Sequence, residues 1–174
     1  LKELKDMAER GLGSIQDERF RLLWDNLPIW YRMRYLSELF GSNGAALVVA
    51  TYTHSWAALG PDVDFEKPYR ELAKAYLSPY INRNFEDRIQ YLVNLIEDFS
   101  LDGFVMHSNR SCKSYSIGQF QIKEEVTRRT GVPGLIIESD MNDPRAFSEA
   151  DVEKRVEAFL ENLYGYKKKS NSKI

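Results

Sequence analysis

AALVVATY, residues 45–52, is a continuous apolar run in an otherwise mixed sequence. Strands that are covered on both faces of a parallel sheet have this pattern, because no position along them faces water. The run is far shorter than the roughly 20 apolar residues that cross a bilayer. It therefore predicts a strand that is covered on both faces, as in a parallel sheet.

Three more segments have the composition of buried strands, and helical patterns separate them. These segments are FRLLWDN (20–26), DGFVMHS (102–108) and VPGLIIES (132–139). Strands that alternate with helices indicate a parallel sheet joined by right-handed crossovers. The predicted order is β-α-β-α-α-β-α-β-α. We expect a Rossmann-like three-layer α/β sandwich, with a mostly parallel sheet of about four strands and helices on both faces.

The segments between the strands repeat their apolar residues at helical spacing. Helices are predicted at 27–44, 66–81, 85–100, 117–131 and 148–165. The predicted apolar faces are Ile29, Met33, Leu36 and Phe40 in the first helix, and Ile89, Leu92, Val93 and Ile96 in the third. Gly60 and Pro61 predict a long loop over 53–67.

One domain accounts for most of the chain. We expect a helical lead-in at 1–19, an α/β domain at 20–164 and a basic disordered tail at 165–174. The chain begins at Leu1 rather than at methionine, which suggests a piece of a longer protein.

The composition argues against several classes of function. A formal net charge of -2 gives no general electrostatic reason to bind nucleic acid. One cysteine cannot form an internal disulfide, which argues against secretion. We expect a cytoplasmic protein that binds neither nucleic acid nor membrane.

Polar side chains collect where the predicted strands end. Ligands of open α/β sheets bind outside the carboxyl ends of the strands, so this edge is where a site is expected. The residues at these ends are Asp25 and Asn26 after the first strand, Thr51, Tyr52, His54 and Ser55 after the second, His107, Ser108, Asn109, Arg110 and Cys112 at the third, and Asp140, Met141, Asn142, Asp143 and Arg145 after the fourth. His54 by itself is more typical of a loop hydrogen bond than of catalysis.

Cys112 is the strongest functional candidate from the residues alone. It precedes a helix predicted to start near Ser116, and a helix N-terminus beside Arg110 and Lys113 favours a thiolate. A nucleophile, a redox thiol and a metal ligand all suit this setting. His107 is the only base close to it in sequence, and one cysteine with two histidines is a poor metal site.

The segment 102–163 carries a longer pattern. HSNRSCK ends a strand, YS precedes a helix, GVPGLIIESDMNDPRAFSE forms a strand and loop, and R-x-EAFLE lies in the last helix. This pattern resembles the C-terminal domain of the 2-hydroxyacyl-CoA dehydratase / benzoyl-CoA reductase family, and the resemblance extends over about 20–164. Ser114 departs from it, because many relatives have proline after CK.

The resemblance implies an enzyme of two homologous subunits, a lyase or an oxidoreductase acting on an acyl-CoA. In that family three cysteines of a subunit bind a [4Fe-4S] cluster, and a separate ATP-dependent iron–sulfur activator supplies an electron. The substrate then becomes a ketyl radical, and either loses water or has its ring reduced. The sequence leaves both outcomes open.

The resemblance also implies roles for residues at the strand ends. These are Cys112 as the metal ligand, His107 and Tyr52 as catalytic residues, and Ser108, Asn109, Arg110, Asp140 and Met141 as residues that bind the cofactor or line the acyl site.

The cysteine count departs from the family. The other two cluster ligands belong to a preceding domain, and Cys112 is the only cysteine here. We therefore expect this chain alone to lack the cluster and to be inactive. Two alternatives remain: a non-catalytic subunit-docking domain with a vestigial cysteine, and a thiol or redox enzyme that acts through Cys112 alone.

Overall fold

The computed structural model describes residues 1–57 and 64–171, and the side chains within them except 56–57 and 168–171. The strands are β1 (Phe20–Asp25), β2 (Ala45–Ala50), β3 (Gly103–Asn109) and β4 (Gly134–Ser139). The helices are α1 (Lys2–Glu9), α2 (Met33–Ser42), α3 (Thr51–Ala57), α4 (Pro68–Leu77), α5 (Phe85–Asp98), α6 (Lys113–Ser116), α7 (Gln119–Thr130) and α8 (Glu149–Asn171). Short 3-10 helices lie at Trp30–Arg32, Tyr80–Asn82 and Pro144–Ala146.

The four described strands form one parallel sheet in the order β2-β1-β3-β4. The predicted parallel α/β architecture is therefore confirmed. The chain moves outward from β1 to β2 and then crosses back to place β3 on the other side of β1. This reversal makes the carboxyl ends of β1 and β3 the topological switch point, where such sheets open a crevice.

Two apolar clusters fill the space between the sheet and its helices. Helices α2 and α8 cover one face, where Trp24, Leu36 and Val156 are buried. Helices α5 and α7 cover the other face, where Leu23 and Met106 are buried. Since successive side chains of a strand point to opposite faces, neighbouring residues of β1 enter different clusters. These two clusters give the three layers that the sequence predicts.

The apolar stripe predicted in α5 is confirmed, because Ile89, Leu92, Val93 and Ile96 are all buried. The face predicted for 27–44 is wrong at Met33, whose exposed fraction is 50%. A 3-10 turn precedes α2, and the helix begins only at Met33, so Ile29 is buried from outside the helix. Because a 3-10 turn precedes the helix, Met33 does not lie on the same face as it would in one continuous helix from residue 27.

The predicted loop at 53–67 is also wrong at its start. Helix α3 begins at Thr51, directly at the end of β2, and α4 begins at Pro68. The Thr51 hydroxyl donates to Asp25 Oδ1 at 2.9 Å, so the first residue of α3 is joined to the end of β1. Gly60 and Pro61 lie outside the described residues.

The two C-terminal predictions also need correction. The helix predicted over 117–131 begins instead at Gln119, because Gly118 has a φ of 81° that interrupts helical geometry, and the separate short helix α6 ends before it at Ser116. Residues 165–171 of the predicted disordered tail continue α8, and residues 172–174 lie outside the described residues. Lys167 Nζ lies 3.0 Å from Asp102 Oδ1 and donates to the Arg19 carbonyl, which fixes this turn against the strand layer. No helix in the described part of the chain is long and apolar enough to cross a membrane.

Candidate functional site

Asn26 joins the carboxyl ends of β1 and β3. Its Nδ2 donates to the His107 carbonyl at 2.6 Å, and its backbone N–H donates to Thr51 Oγ1 at 3.0 Å. Its φ of 84° lies in the left-handed region, which asparagine tolerates better than most residues. The residue therefore holds three strand ends together at the switch point.

Asp25 is a fully buried carboxyl beneath this junction. Desolvation raises its pKa to about 6, although hydrogen bonds from Thr51 and Gln119 act in the opposite direction. Its Oδ2 and the Gln119 Oε1 have no hydrogen-bond partner among the described residues. The junction thus contains a carboxyl group that changes charge near neutral pH.

His107 lies within the protein rather than at its surface. Its exposed fraction is 0%, and Nδ1 donates to the Leu27 carbonyl at 2.7 Å. Burial lowers its pKa, so the imidazole is neutral at pH 7 and Nε2 is an acceptor. This position supports the β1–β3 junction, and the catalytic role expected from the family resemblance stays a prediction.

Asn109 organises the segment that carries Cys112. Its carbonyl accepts from the Cys112 N–H at 3.2 Å and from the Ser116 hydroxyl at 2.6 Å. Its side-chain Oδ1 accepts from the N–H groups of Ser111 and Met141 at 3.1 and 3.4 Å. One buried residue therefore fixes the loops after both β3 and β4.

Cys112 is a free, partly exposed cysteine at the start of α6. It packs beside the apolar cluster on the α5 and α7 side of the sheet. Helix α6 has only four residues, and the longer helix α7 begins after Gly118. The dipole of a long helix, which the sequence predicted for this thiol, is therefore not at Cys112.

Asp140, directly after β4, contacts the loop that follows β3 and carries Cys112. The Ser111 hydroxyl donates a short hydrogen bond to Asp140 Oδ2, and the N–H groups of Asn142 and Asp143 donate to Oδ1 at 2.9 and 3.0 Å. The Ser111 hydroxyl, and then the two N–H groups, lower the pKa of this carboxyl. Asp140 is thus an ionised acceptor that shapes the loop.

Tyr52 approaches this region from α3 through an aromatic contact. Its ring meets the Trp30 ring edge-on, with 6.0 Å between centroids. The backbone N–H of Trp30 donates to the Met141 carbonyl at 3.1 Å. Tyr52 and Met141 therefore flank the same tryptophan. Arg110 points elsewhere, because its guanidinium is 2.7 Å from Glu138 in an exposed ion pair.

Four of the predicted residues thus lie together. Asn109 accepts hydrogen bonds from Cys112 and Met141, and Asp140 directly precedes Met141 in the chain. Ser108 is half-buried on the other face of β3. Gln119 was not among the predicted site residues, yet its Nε2 donates to the His107 carbonyl at 3.1 Å. Gln119, Ile122 and Val126 have the spacing of one helical face, and all three are buried in α7. This spacing could have indicated from the sequence that Gln119 is buried.

The side chains of this chain do not by themselves fit an iron–sulfur cluster. A [4Fe-4S] cluster is normally held by several cysteine thiolates, and the chain has one. The described residues contain no group of three or more His, Cys, Asp or Glu side chains arranged to hold a metal ion. Cys112 is therefore at most one ligand of such a centre.

The fold and the loops define an α/β protein with a cysteine-bearing segment at a parallel-sheet switch point. Comparison with known proteins gives the family. Residues 1–163 match the family 2-hydroxyglutaryl-CoA dehydratase, D-component, and the chain belongs to it. The family includes subunits of 2-hydroxyacyl-CoA dehydratases and of benzoyl-CoA reductase.

Three relatives show how much of such a protein the chain represents. A benzoyl-CoA reductase subunit of Thauera aromatica is 34% identical over 86% of this chain and 35% of its own length. The (R)-2-hydroxyisocaproyl-CoA dehydratase alpha subunit of Clostridioides difficile is 28% identical over 100% and 42%. The lactoyl-CoA dehydratase alpha subunit of Anaerotignum propionicum is 28% identical over 92% and 38%. The chain therefore spans 35–42% of the length of these relatives.

Proposed function

We propose that this chain is the Cys112-bearing domain of an acyl-CoA dehydratase or aryl-CoA reductase subunit. In this proposal Cys112 contributes one thiolate to a [4Fe-4S] cluster, and other cysteines come from outside the chain. When bound, the cluster supplies one-electron reduction of an acyl-CoA, after activation by an ATP-dependent iron–sulfur protein. The result is ketyl radical chemistry, in a reducing compartment such as the cytoplasm.

The observation that carries this proposal is the placement of Cys112. It is the only cysteine, it is partly exposed, and its backbone is held by Asn109 at the carboxyl edge of the sheet. A metal ligand must be accessible and must have a fixed direction, and the loop supplies both. Family membership supports the acyl-CoA class of substrate, because the relatives are named for CoA thioesters.

The neighbouring residues have supporting roles in this proposal. Asn109 and Asp140 fix the two loops, and Tyr52 with Met141 lines one side of the acyl site across Trp30. His107 and Ser108 support the strand end below the thiolate. Arg110 is available to an anionic CoA group or to the activator only if its exposed pairing with Glu138 opens, which costs little at the surface.

A second candidate is a subunit-docking domain in which Cys112 is vestigial. The small number of possible metal ligands favours this candidate. The described residues contain one cysteine and no group of three or more His, Cys, Asp or Glu side chains that could hold a metal ion. The two candidates differ in whether removal of the thiol changes catalysis.

The test uses the complete subunit that carries this domain, with its homologous partner subunit and the ATP-dependent activator under anaerobic conditions. Benzoyl-CoA and a 2-hydroxyacyl-CoA are supplied in turn, and products are followed by mass spectrometry as loss of water or gain of two hydrogens. We expect turnover of one class, and loss of turnover in Cys112→Ser but not in the control Ser114→Ala. Full activity of Cys112→Ser would support the docking domain instead.

A further inference from the structure

Arg88, on α5, uses its side chain to join two other segments of the chain. Its Nη2 donates to the Ile81 carbonyl at 2.6 Å, and its Nε donates to the Arg83 carbonyl at 3.1 Å, both in the short stretch before α5. Its Nη1 donates to the Ser114 carbonyl of α6 at 2.7 Å. All three nitrogens of one guanidinium therefore have a backbone acceptor, and one of these acceptors lies two residues after Cys112.

The contacts of Arg88 are directional. Every hydrogen bond that its side chain makes in the described part of the chain goes to a backbone carbonyl. A planar guanidinium fixes the relative positions of its acceptors more strictly than a lysine ammonium does. Arg88 is also half-buried, and its Cζ lies 5.5 Å from the centre of the Tyr80 ring. The arginine is therefore a rigid link between segments rather than a solvated surface charge.

Tyr80 and Tyr115 add a second contact between the same two segments. Tyr115 lies in α6, and its ring stacks on the Tyr80 ring with 5.7 Å between centroids and 23° between planes. Both tyrosines are buried. Because Arg88 also contacts Tyr80, the hydrogen bond to Ser114 and the stacked rings together hold α6 against the start of α5.

Helix α6 depends on such contacts because it is too short to be stable alone. It has four residues, and the Ser116 N–H donates to the Cys112 carbonyl at 3.1 Å. Isolated helices shorter than about 12 residues are marginal in water. Asn109 holds the β3 side of this helix, and Arg88 holds the α5 side. Since Cys112 begins the helix, the direction of its thiol follows from the orientation of α6.

We propose that Arg88 is a positioning residue for Cys112. By fixing α6 against the segment before α5, its guanidinium sets the direction of the thiol. This role rests on the proposed function for its effect on catalysis, where a thiolate that ligates iron must keep one direction. Its structural part concerns this chain alone and is tested without a cluster.

The first test attaches a nitroxide spin label to Cys112, which is the only cysteine of the chain. The EPR line shape then reports how freely the start of α6 moves. Arg88→Lys keeps the charge but not the planar fork, and Arg88→Gln removes both. We expect the mobile component of the spectrum to increase about two- to threefold in both variants, because α6 loses a charge-assisted hydrogen bond.

Two controls separate position from stability. Arg83→Lys changes a neighbouring arginine whose Nε donates to the Ser78 carbonyl rather than to α6, and it should leave the spectrum unchanged. Gly103→Ala destabilises the packing of α8 on the other face of the sheet, and it should also leave the spectrum unchanged. Urea unfolding verifies that every labelled variant is folded under the conditions of the spectrum. Equal mobilisation of the label by Gly103→Ala would overturn the positioning role.

A measurement on the wild type does not depend on any variant. With all three nitrogens bound, rotation of the Arg88 guanidinium should be slow, so NMR should resolve separate Nη1 and Nη2 signals for it. Arg34, whose side chain is 91% exposed, should show averaged signals. Averaged signals for Arg88 would overturn the role, and so would an unchanged label spectrum in both Arg88 variants.

The second test uses the complete subunit with its partner subunit and the activator. We expect Arg88→Lys to lower kcat about tenfold and to change KM for the acyl-CoA by less than about twofold, because the ligand is misdirected while the substrate contacts remain. Arg83→Lys should change neither. An unchanged kcat in Arg88→Lys would overturn the role in catalysis. Failure of the wild-type subunit to bind iron would instead contradict the proposed function, and the label spectrum would still decide whether Arg88 positions α6.

Discussion

The side chain of Asn26 donates a 2.6 Å hydrogen bond to the backbone carbonyl of His107, which connects the two strands on either side of the switch point. The same side chain accepts from the Leu27 N–H at 2.6 Å, while its backbone has a φ of 84°. The strand that leads to Cys112 is therefore held at its carboxyl end by a strained asparagine. This contact gives the candidate site its fixed geometry.

Asn26 substitutions should separate its hydrogen bonds from its backbone conformation. Asn26→Ala removes both side-chain hydrogen bonds and places alanine, which tolerates positive φ poorly, at this position. We therefore expect a loss of about 2–4 kcal/mol in unfolding free energy. Asn26→Gly loses the same bonds without the strain, and should cost about 1 kcal/mol less. Urea unfolding measures both. Equal losses in the two variants would contradict a role for the backbone.

Asp25 should make the fold less stable as pH rises. Its pKa is about 6 in the folded protein against 3.8 for an unperturbed aspartate, so the folded state binds the proton more tightly than the unfolded state. The contribution of Asp25 to the unfolding free energy is therefore greatest below about pH 4 and falls between about pH 4 and pH 6. Above about pH 6 it is lower by on the order of 3 kcal/mol.

Asp25→Asn should remove this pH dependence, because the amide stays neutral and still accepts from the Thr51 hydroxyl. We expect it to raise the unfolding free energy by about 1–3 kcal/mol at about pH 7.5, with almost no difference at about pH 4. Urea unfolding at several pH values, as variant minus wild type, isolates Asp25 from other carboxyls. A difference that does not change with pH would refute the assigned pKa.

The loop around Asp140 should loosen in two distinguishable ways. Asp140→Ala removes the acceptor for Ser111 and for the N–H groups of Asn142 and Asp143, so all of these should become more mobile. Ser111→Ala removes only the contact between loops. Hydrogen exchange should therefore accelerate at Asn142 and Asp143 about tenfold or more in Asp140→Ala but little in Ser111→Ala. Equal protection in both variants would contradict this division of roles.

Two glycines test how closely α8 packs on the sheet. A Cβ at Gly103 would lie 2.8 Å from Phe159 Cζ and 3.0 Å from Leu22 Cδ2, so Gly103→Ala should cost about 1–3 kcal/mol. Gly165 has no atom within 4 Å of the same position and lies inside α8, so Gly165→Ala should stabilise by about 0.5–1 kcal/mol. Thermal unfolding compares them, and destabilisation by Gly165→Ala would argue against a helix at this position.

The strands were predictable because buried parallel strands are continuous apolar runs. The predicted β3 at 102–108 and the observed strand Gly103–Asn109 differ by one residue at each end. Helix α3 was not predictable in the same way, since Thr51 and Tyr52 continue the apolar run and no turn residue separates them from it. The strand order also depends on contacts between distant segments, which a local pattern does not contain.

The candidate site was predictable as an edge of the sheet but not as a set of contacts. The rule that ligands bind at carboxyl ends indicated Cys112, Asn109 and Asp140, which the structure brings together. It did not indicate that His107 would be fully buried, because a polar residue at a strand end is usually exposed. The Leu27 carbonyl accepts from the imidazole, and Asn26 donates to the His107 carbonyl, so the segment after β1 lies against this strand end.

The proposed function depends most directly on whether Cys112 binds iron. The measurement is anaerobic iron and sulfide reconstitution of the complete subunit, followed by iron content and by ultraviolet–visible and EPR spectra. Ser114→Ala serves as the matched control in the same loop. We expect a cluster in the wild type and in Ser114→Ala, and its loss in Cys112→Ser. An intact cluster in Cys112→Ser would contradict the ligand assignment.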